Sequence, residues 1–188
     1  MKIDWAELDK QRILDKNRFY VIISGDKSLN ENSFIPVLIN DSVQLTEAET
    51  VVFTAIDNML KTRIANGNEI YVLCGDNSGS DMFGYKYASQ KDYEVIQYFA
   101  DWDGNGSRAG YIRNESMFAR AGIKQNKGCI LFWDGEDPFT KNMIYLGWEF
   151  GIPVRVFNYK TSKWLKKDEI EEIQMAERRV QAGYRRGF

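Results

Sequence analysis

The chain has 188 residues, enough for one α/β domain with a complete core and too few for two such domains. Its formal net charge of −2 gives no general reason to expect DNA, RNA or an anionic membrane surface as a partner. The sequence contains no histidine, which excludes Ser-His-Asp and Cys-His mechanisms and, with only carboxylates and two separated cysteines left as ligands, argues against a zinc enzyme. We therefore expect neither a metal nor another cofactor.

No apolar run approaches the length needed to span a bilayer, and the first residues lack a signal-peptide pattern. We therefore expect a cytoplasmic protein without a membrane partner. Cys74 and Cys129 each fall within a predicted buried strand, where cysteine usually behaves as a small hydrophobe, so we expect both to be reduced.

The first elements of the chain are a helix and a strand. Residues 4–15 have the pattern of a short amphipathic helix. Residues 19–23 form a continuous β-prone run, typical of a strand that is covered on both faces. This run ends in a polar turn that contains Gly25 and Lys27. The turn lies at the carboxyl end of the strand, where open α/β sheets bind their ligands.

Residues 30–45 allow more than one interpretation. Two apolar segments flank the polar residues 40–42, which favours a small hairpin, but the region could equally be an extended lid or an oligomer contact. A helix is predicted to follow. Residues 46–49 form a capping box, and apolar residues recur at helical spacing between Val52 and Ile64.

The rest of the chain repeats the order of strand, polar loop and helix. This order indicates a single α/β, Rossmann-like domain over residues 1–188, with a mainly parallel sheet of about five strands and helices on both faces. The later predicted elements are strand 70–74 with loop 75–81, strand 95–100, strand 129–133 with loop 134–140, strand 153–157, and a C-terminal helix at about 166–182.

Residues 98–118 are the most informative stretch. Asp101 and Trp102 follow the third strand, and a run of glycines surrounds Arg108 and precedes Arg113. Helical spacing begins after Arg113, so the stretch is predicted to be strand, glycine-rich loop and helix start. The open amides of a helix start and two guanidinium groups would suit a phosphate or a carboxylate. The alternative is an ordinary glycine-rich loop with arginines that only face solvent.

Several loops together resemble a known family. Residues 99–102 read FADW and residues 108–114 read RAGYIRN, similar to the ADW and AGxxRN signature of the YspA-type branch of the SLOG superfamily. This Rossmann-like group includes the cytokinin-activating LOG enzymes and DprA. Residues 75–81, GDNSGSD, are similar to the GGA(K/R)GAD loop of that branch. Residues 132–135 and 140–144, FWDG and TKNMI, resemble its FWDG and GTxxMI segment.

The resemblance covers roughly residues 19–157 and implies a nucleotide or nucleotide-derived ligand in the loops. Three positions depart from the family pattern. Asp76 and Phe139 replace glycines, and Lys27 replaces an arginine, which keeps the charge without the two-pronged geometry. These departures are compatible with a ligand that offers a base for stacking and hydroxyls for a carboxylate.

The candidate site residues come from the four loops. We expect Arg113 to clamp an anion with two hydrogen bonds. Asp101 and Trp102 could contact ligand hydroxyls and a base, or could instead cap the glycine loop and join the core. Asp81 is expected to cap or support its helix. The ligand-binding candidates are Gly25, Lys27, Gly75, Asp76, Ser78, Gly79, Ser80, Asp101, Trp102, Arg108, Gly110, Arg113, Asn114, Asp134, Gly135 and Thr140.

Three functional hypotheses follow. The leading one is a protein that binds a nucleotide or nucleotide-derived small molecule as a sensor, carrier or sequestering agent, since no catalytic set is recognisable. The alternative is a LOG-like nucleoside-monophosphate N-glycosidase, in which Arg113 and Glu115 would be the catalytic residues. The third is a scaffold whose pocket is vestigial.

Two apolar segments outside the predicted sheet suggest self-association. Residues 34–39 and the stripe on the C-terminal helix would leave exposed apolar patches on a monomer, and large patches usually mark an interface. SLOG relatives also commonly associate. We therefore expect a homodimer or larger homo-oligomer, unless both segments pack on their own chain. The stripe consists of Ile170, Ile173, Ala176 and Val180.

Overall fold

The described part of the chain alternates between strands and helices. The computed structural model describes residues 15–30, 37–39, 42–44, 48–76 and 79–186. In chain order its strands are β1 (Arg18–Gly25), β2 (Val37–Ile39), β3 (Ser42–Gln44), β4 (Glu69–Gly75), β5 (Glu94–Tyr98), β6 (Lys127–Trp133), β7 (Val154–Asn158) and β8 (Lys163–Trp164).

β1 lies inside a six-stranded sheet with the order β5-β4-β1-β6-β7-β8. The first five of these strands pair in parallel, and β8 pairs antiparallel with β7 at one edge. The predicted Rossmann-like α/β fold is confirmed, with one strand more than expected. β8 contains only Lys163 and Trp164, too short for an alternating pattern to be recognised in the sequence.

The region before the first long helix contains the second, smaller sheet. β2 and β3 pair antiparallel, which agrees with the hairpin interpretation of residues 30–45. Residues 40 and 41, which would form its turn, lie outside the described ranges. So do the capping-box residues 46 and 47.

Helices connect the parallel strands. The C-terminal helix expected at about 166–182 is confirmed and continues to Arg186. The N-terminal helix predicted for residues 4–15 lies outside the described residues, apart from residue 15, which is helical together with 16 and 17. In chain order the helices are α1 (Ala48–Ala65), α2 (Ser80–Gln90), α3 (Trp102–Asn105), α4 (Ala109–Gly122), α5 (Pro138–Glu149) and α6 (Lys167–Arg186). Of these described helices, none has the length and hydropathy needed to cross a membrane.

The core lies on both faces of the sheet, because successive side chains of a strand point to opposite sides. Val21 and Ile23 of β1 belong to one buried cluster, with apolar residues of α1 and α2. Tyr20 and Ile22 belong to the other, with apolar residues of α4, α5 and α6. Helices therefore cover both faces, as predicted.

The glycine-rich stretch differs from its predicted structure. It is helical almost throughout, since α3 is followed by a 3-10 turn, Gly106–Arg108, and α4 already begins at Ala109. Glycine has a low helix propensity, which is why the sequence favoured a loop. Asp101 overrides this preference, because its Oδ1 accepts a hydrogen bond from the Gly104 amide at 2.9 Å and caps α3. Arg113 consequently lies inside a helix rather than at its open end.

The apolar stripe of α6 is divided between core and surface. Ile170 is buried, and Ile173 packs against the same cluster. Val180, at the other end of the stripe, is 47% exposed. The first half of the stripe therefore packs on its own chain.

Matched isoleucine truncations test the placement of the core. Ile22 is fully buried in β1, whereas Ile123, which follows α4, is 74% exposed. We expect Ile22→Ala to lower the free energy of unfolding by about 2–5 kcal/mol through lost burial and a cavity. Ile123→Ala should change it by less than about 0.5 kcal/mol. Urea unfolding of both variants measures the difference, and equal effects would contradict this assignment of the core.

Candidate functional site

A pocket opens at the carboxyl ends of the parallel strands. The chain leaves β1 toward β4 on one side and later returns to β6 on the other, so these ends flank a topological switch point, where open α/β sheets bind ligands. The cavity measures about 160 Å³, the volume of roughly five water molecules. This central pocket is lined by Gly25, Lys27, Asp81, Trp102, Gly110, Arg113, Asn114, Asp137, Phe139 and Met143.

A buried arginine forms one wall of the central pocket. Arg113 is only 7% exposed, and its Nη1 donates to Oδ2 of Asp81 at 3.0 Å and to Oδ1 of Asp76 at 3.2 Å. Its Nε donates to the side-chain oxygen of Asn114 at 2.9 Å. Asp81 is itself buried and accepts a 2.5 Å hydrogen bond from the hydroxyl of Ser24. The guanidinium is thus fixed by Asp76 after β4, by Asp81 of α2 and by its own helix, while Ser24 of β1 holds Asp81.

One nitrogen of this arginine, Nη2 with its two N–H groups, remains for a ligand. Within the described residues, Nη2 of Arg113 makes no hydrogen bond, while Nε and Nη1 are engaged. No buried side-chain nitrogen or oxygen among these residues lacks a partner, so Nη2 is accessible. Because Arg113 lines the central pocket, a bound acceptor could take this donor.

Gly75 is required by the close approach of this cluster. A methyl group at this position would overlap Nη1 of Arg113 and Oδ2 of Asp81. Any larger residue at the end of β4 would therefore displace the buried ion pair. Gly75 acts on the pocket indirectly, by leaving space for Arg113.

Two aromatic rings approach the same glycine in the pocket. A methyl group at Gly110 would lie 3.5 Å from a ring atom of Trp102 and 3.5 Å from a ring atom of Phe139. Trp102 is 48% exposed, although it is a large apolar side chain. Tyr111 stacks on Phe139, with ring centroids 4.6 Å apart, and supports it from outside. We name this arrangement of Trp102, Gly110 and Phe139 the ring slot.

A second acidic cluster lies at the ends of β1 and β6. Asp26 is buried, accepts a hydrogen bond from the hydroxyl of Tyr159 at 2.5 Å, and accepts two from Ser28 at 2.8 Å. Burial raises the pKa of the Asp134 carboxyl. The backbone amides of Asp137 and Glu136, with a hydrogen bond shared with Asp26, outweigh this effect and hold that pKa below its ordinary value. Asp134 is therefore ionised at neutral pH.

The predicted site residues separate into three groups. Gly25, Lys27, Trp102, Gly110, Arg113 and Asn114 line the central pocket. Ser78 lies outside the described residues. The others do not line the pocket, and all of them except Arg108 lie in or beside the loops around it. The amide and hydroxyl of Ser80 both donate to the carbonyl of Asp26, at 3.0 and 2.9 Å, and Gly79 allows this approach with a φ of 73°.

The remaining supporting residues act in the same way. Asp76 holds Arg113 and also accepts from the Ala100 amide at 3.3 Å. Asp101 caps α3. Thr140 is buried and donates from its amide and hydroxyl to Asp137, both at 2.6 Å. Gly135 lies in the exposed loop after β6, at a φ of 100°.

Arg108 and Glu115 lie in a different place. Both line a groove between α4, α5 and α6, together with residues such as Tyr111 and Lys141. Arg113 is buried on the opposite, sheet-facing side of α4. Positions two apart on a helix do not face each other, so Arg113 and Glu115 are not brought together.

The pocket also contains residues that were not chosen as ligand contacts from the sequence. Asp81 was expected only to support its helix, and Phe139 was noted only as a departure from the family pattern. Asp137 and Met143 were not singled out. Asp137 had a recognisable signal, because an acidic residue followed by Pro138 is typical of a helix start.

Neither cysteine can serve this site as a nucleophile. Burial, followed by the nearby Asp81 carboxylate, raises the pKa of the Cys74 thiol to about 12. Burial also raises the pKa of Cys129 well above its ordinary value. Both thiols are buried and free, as expected of cysteines in interior strands. Within the described ranges, no group of three or more His, Cys, Asp or Glu side chains could hold a metal ion.

Comparison with known proteins gives no family. No protein-family model matches the chain, and no curated protein matches it. The SLOG resemblance therefore remains a prediction from the sequence motifs.

Matched glycine-to-alanine changes test the role of Gly75. Gly75→Ala should lower the free energy of unfolding by about 3 kcal/mol or more, because it displaces the buried Arg113 from its carboxylates. Gly183→Ala on α6 is the control, since nothing lies within 4 Å of an added methyl group. It should be neutral or stabilising by up to about 1 kcal/mol. Thermal and urea unfolding measure both changes, and an unaltered stability in Gly75→Ala would refute the close packing described above.

Proposed function

We propose that this protein binds a nucleotide or nucleotide-derived small molecule in the central pocket and acts in the cytoplasm as a sensor, carrier or sequestering protein. The ring slot is the observation that carries the proposal. Trp102 remains half exposed beside a cavity, and Phe139 approaches the same residue, Gly110, which is the smallest possible. A planar base between these rings would gain stacking energy beyond the burial of its area.

The polar groups around the slot support the same class of ligand. Nη2 of Arg113 is an accessible donor, and Lys27 lines the same cavity. Asp137, also in the lining, could accept a hydrogen bond from a sugar hydroxyl. Few polar groups in a mostly apolar concave site are typical of small-molecule pockets. The motifs similar to the YspA-type branch imply a ligand of this kind as well.

The positions of the carboxylates do not favour the N-glycosidase alternative. That reaction would need Arg113 and Glu115 at one substrate, yet Glu115 is exposed in the groove between α4, α5 and α6. Asp81 lies in the pocket but is held by Arg113 and Ser24. We therefore propose binding without turnover.

A ligand panel and a slot-filling variant test the proposal. The panel contains nucleosides, nucleotides, ADP-ribose derivatives and cyclic dinucleotides, and binding is detected as a rise in thermal unfolding temperature. A ligand at a hundred times its dissociation constant should stabilise the protein by about 2.7 kcal/mol. Gly110→Ala should abolish the shift, because the methyl group fills the slot. It should leave the unliganded fold intact, because its 3.5 Å contacts are of ordinary length and alanine favours helix.

Gly183→Ala serves again as the control and should keep the full ligand-induced shift. A vestigial pocket predicts no shift with any member of the panel, and that result would overturn the proposal. An equal response from Gly110→Ala and the unaltered protein would place the ligand elsewhere.

We also propose that the protein forms a homodimer or larger homo-oligomer. On α6, Met175 is 54% exposed and Val180 is 47% exposed. Light scattering at micromolar concentration should give at least twice the chain mass of 21.8 kDa. Met175→Lys with Val180→Lys should reduce that mass if α6 forms the interface. A mass near 21.8 kDa for the unaltered protein would exclude the assembly.

A further inference from the structure

We infer that the ligand of the central pocket is a nucleoside-class compound carrying at most one negative charge. This inference rests on the proposed function and narrows it, because it excludes nucleoside mono-, di- and triphosphates as the preferred ligands. Even a monophosphate carries about −1.5 to −2 charges at neutral pH. It depends on the charges already present around the pocket rather than on the ring slot.

Arg113, the cation of the pocket best suited to bind a phosphate, is already neutralised. Nη1 of Arg113 contacts both Asp81, at 3.0 Å, and Asp76, at 3.2 Å. All three side chains are buried or nearly so, which strengthens their interaction relative to water. Arg113 can still donate from the two N–H groups of Nη2, but its charge is more than balanced by the two carboxylates.

Two helix starts beside the pocket that could capture phosphate are also occupied. Asp137 caps α5, and its Oδ2 accepts from the amide and hydroxyl of Thr140 at 2.6 Å. At the start of α2, the Ser80 amide donates to the Asp26 carbonyl at 3.0 Å, and Asp81 adds a carboxylate in the first turn. These acidic residues take the place at each helix end that a phosphate would otherwise fill.

The remaining charges of the pocket are unfavourable to a polyphosphate. Among the described residues of its lining and first contacts, the cations are Lys27 and Arg113, and they are outnumbered by three carboxylates. A chain of phosphates would face like charges, which cost affinity. A neutral sugar does not face this repulsion. Oδ1 of Asp137 accepts no hydrogen bond from the described residues, so it can accept one from a ribose hydroxyl or a base amino group.

A phosphate series measures the charge preference directly. Adenosine, guanosine, cytidine and uridine, with their 5′-mono-, di- and triphosphates, are titrated into the full chain by calorimetry at physiological ionic strength. We expect at least one nucleoside to bind as tightly as, or more tightly than, its monophosphate. Its di- and triphosphates should bind about tenfold or more weakly. A rise in affinity with each phosphate would overturn the inference and leave the proposed function standing. No binding by any of these compounds would overturn both.

A charge-neutralising variant identifies the origin of the preference. Asp137→Asn retains a capping oxygen for α5 but removes one negative charge from the pocket. It should reduce the ratio of triphosphate to nucleoside dissociation constants about threefold or more, as expected for one unit charge several ångströms away. Glu172→Gln removes the same charge from an exposed position on α6 and should leave the ratio unchanged. Equal ratios in Asp137→Asn and the unaltered protein would overturn the inference.

Discussion

The ion pair between Arg113 and Asp81 is the interaction on which the pocket depends. A buried charge is tolerated only when its partners and hydrogen bonds are complete, and here they come from distant parts of the chain. Asp81 begins α2, Asp76 follows β4, Ser24 belongs to β1, and Arg113 belongs to α4. The pair therefore fixes the relative positions of two helices and two strand ends. Removing one partner would leave the other charge buried without compensation.

This arrangement makes the pocket rigid on one side and open on the other. Arg113 and Asp81 form a wall whose side chains are already engaged. The rings of Trp102 and Phe139 lie on helices α3 and α5, and both approach Gly110. Stability is thus supplied by the polar wall, while the aromatic side remains available for a ligand. Preorganised walls of this kind reduce the entropy lost when a ligand binds.

Much of the fold was predictable from local sequence, and the reasons are physical. Continuous apolar runs such as that of β1 predict strands buried on both faces, and the spacing of Val52 and Ile56 predicts α1. The order of strands and helices then fixes a parallel sheet with its ligand loops at one edge. β8 was missed because two residues carry no period, and the helical glycine stretch was missed because Asp101 overrides glycine propensity.

The candidate site was predictable in position but less so in detail. The carboxyl ends of β1, β4 and β6 indicated the edge of the sheet at which the central pocket opens, since parallel strands end on the same side. The partners of Arg113 lie 32 and 37 positions earlier in the chain, so their pairing depends on how helices pack and not on any local spacing. Arg108 and Arg113 were both ligand candidates in the sequence, yet only Arg113 turns toward the sheet. A charged residue near a glycine-rich turn therefore indicates a site only after its own partners are known.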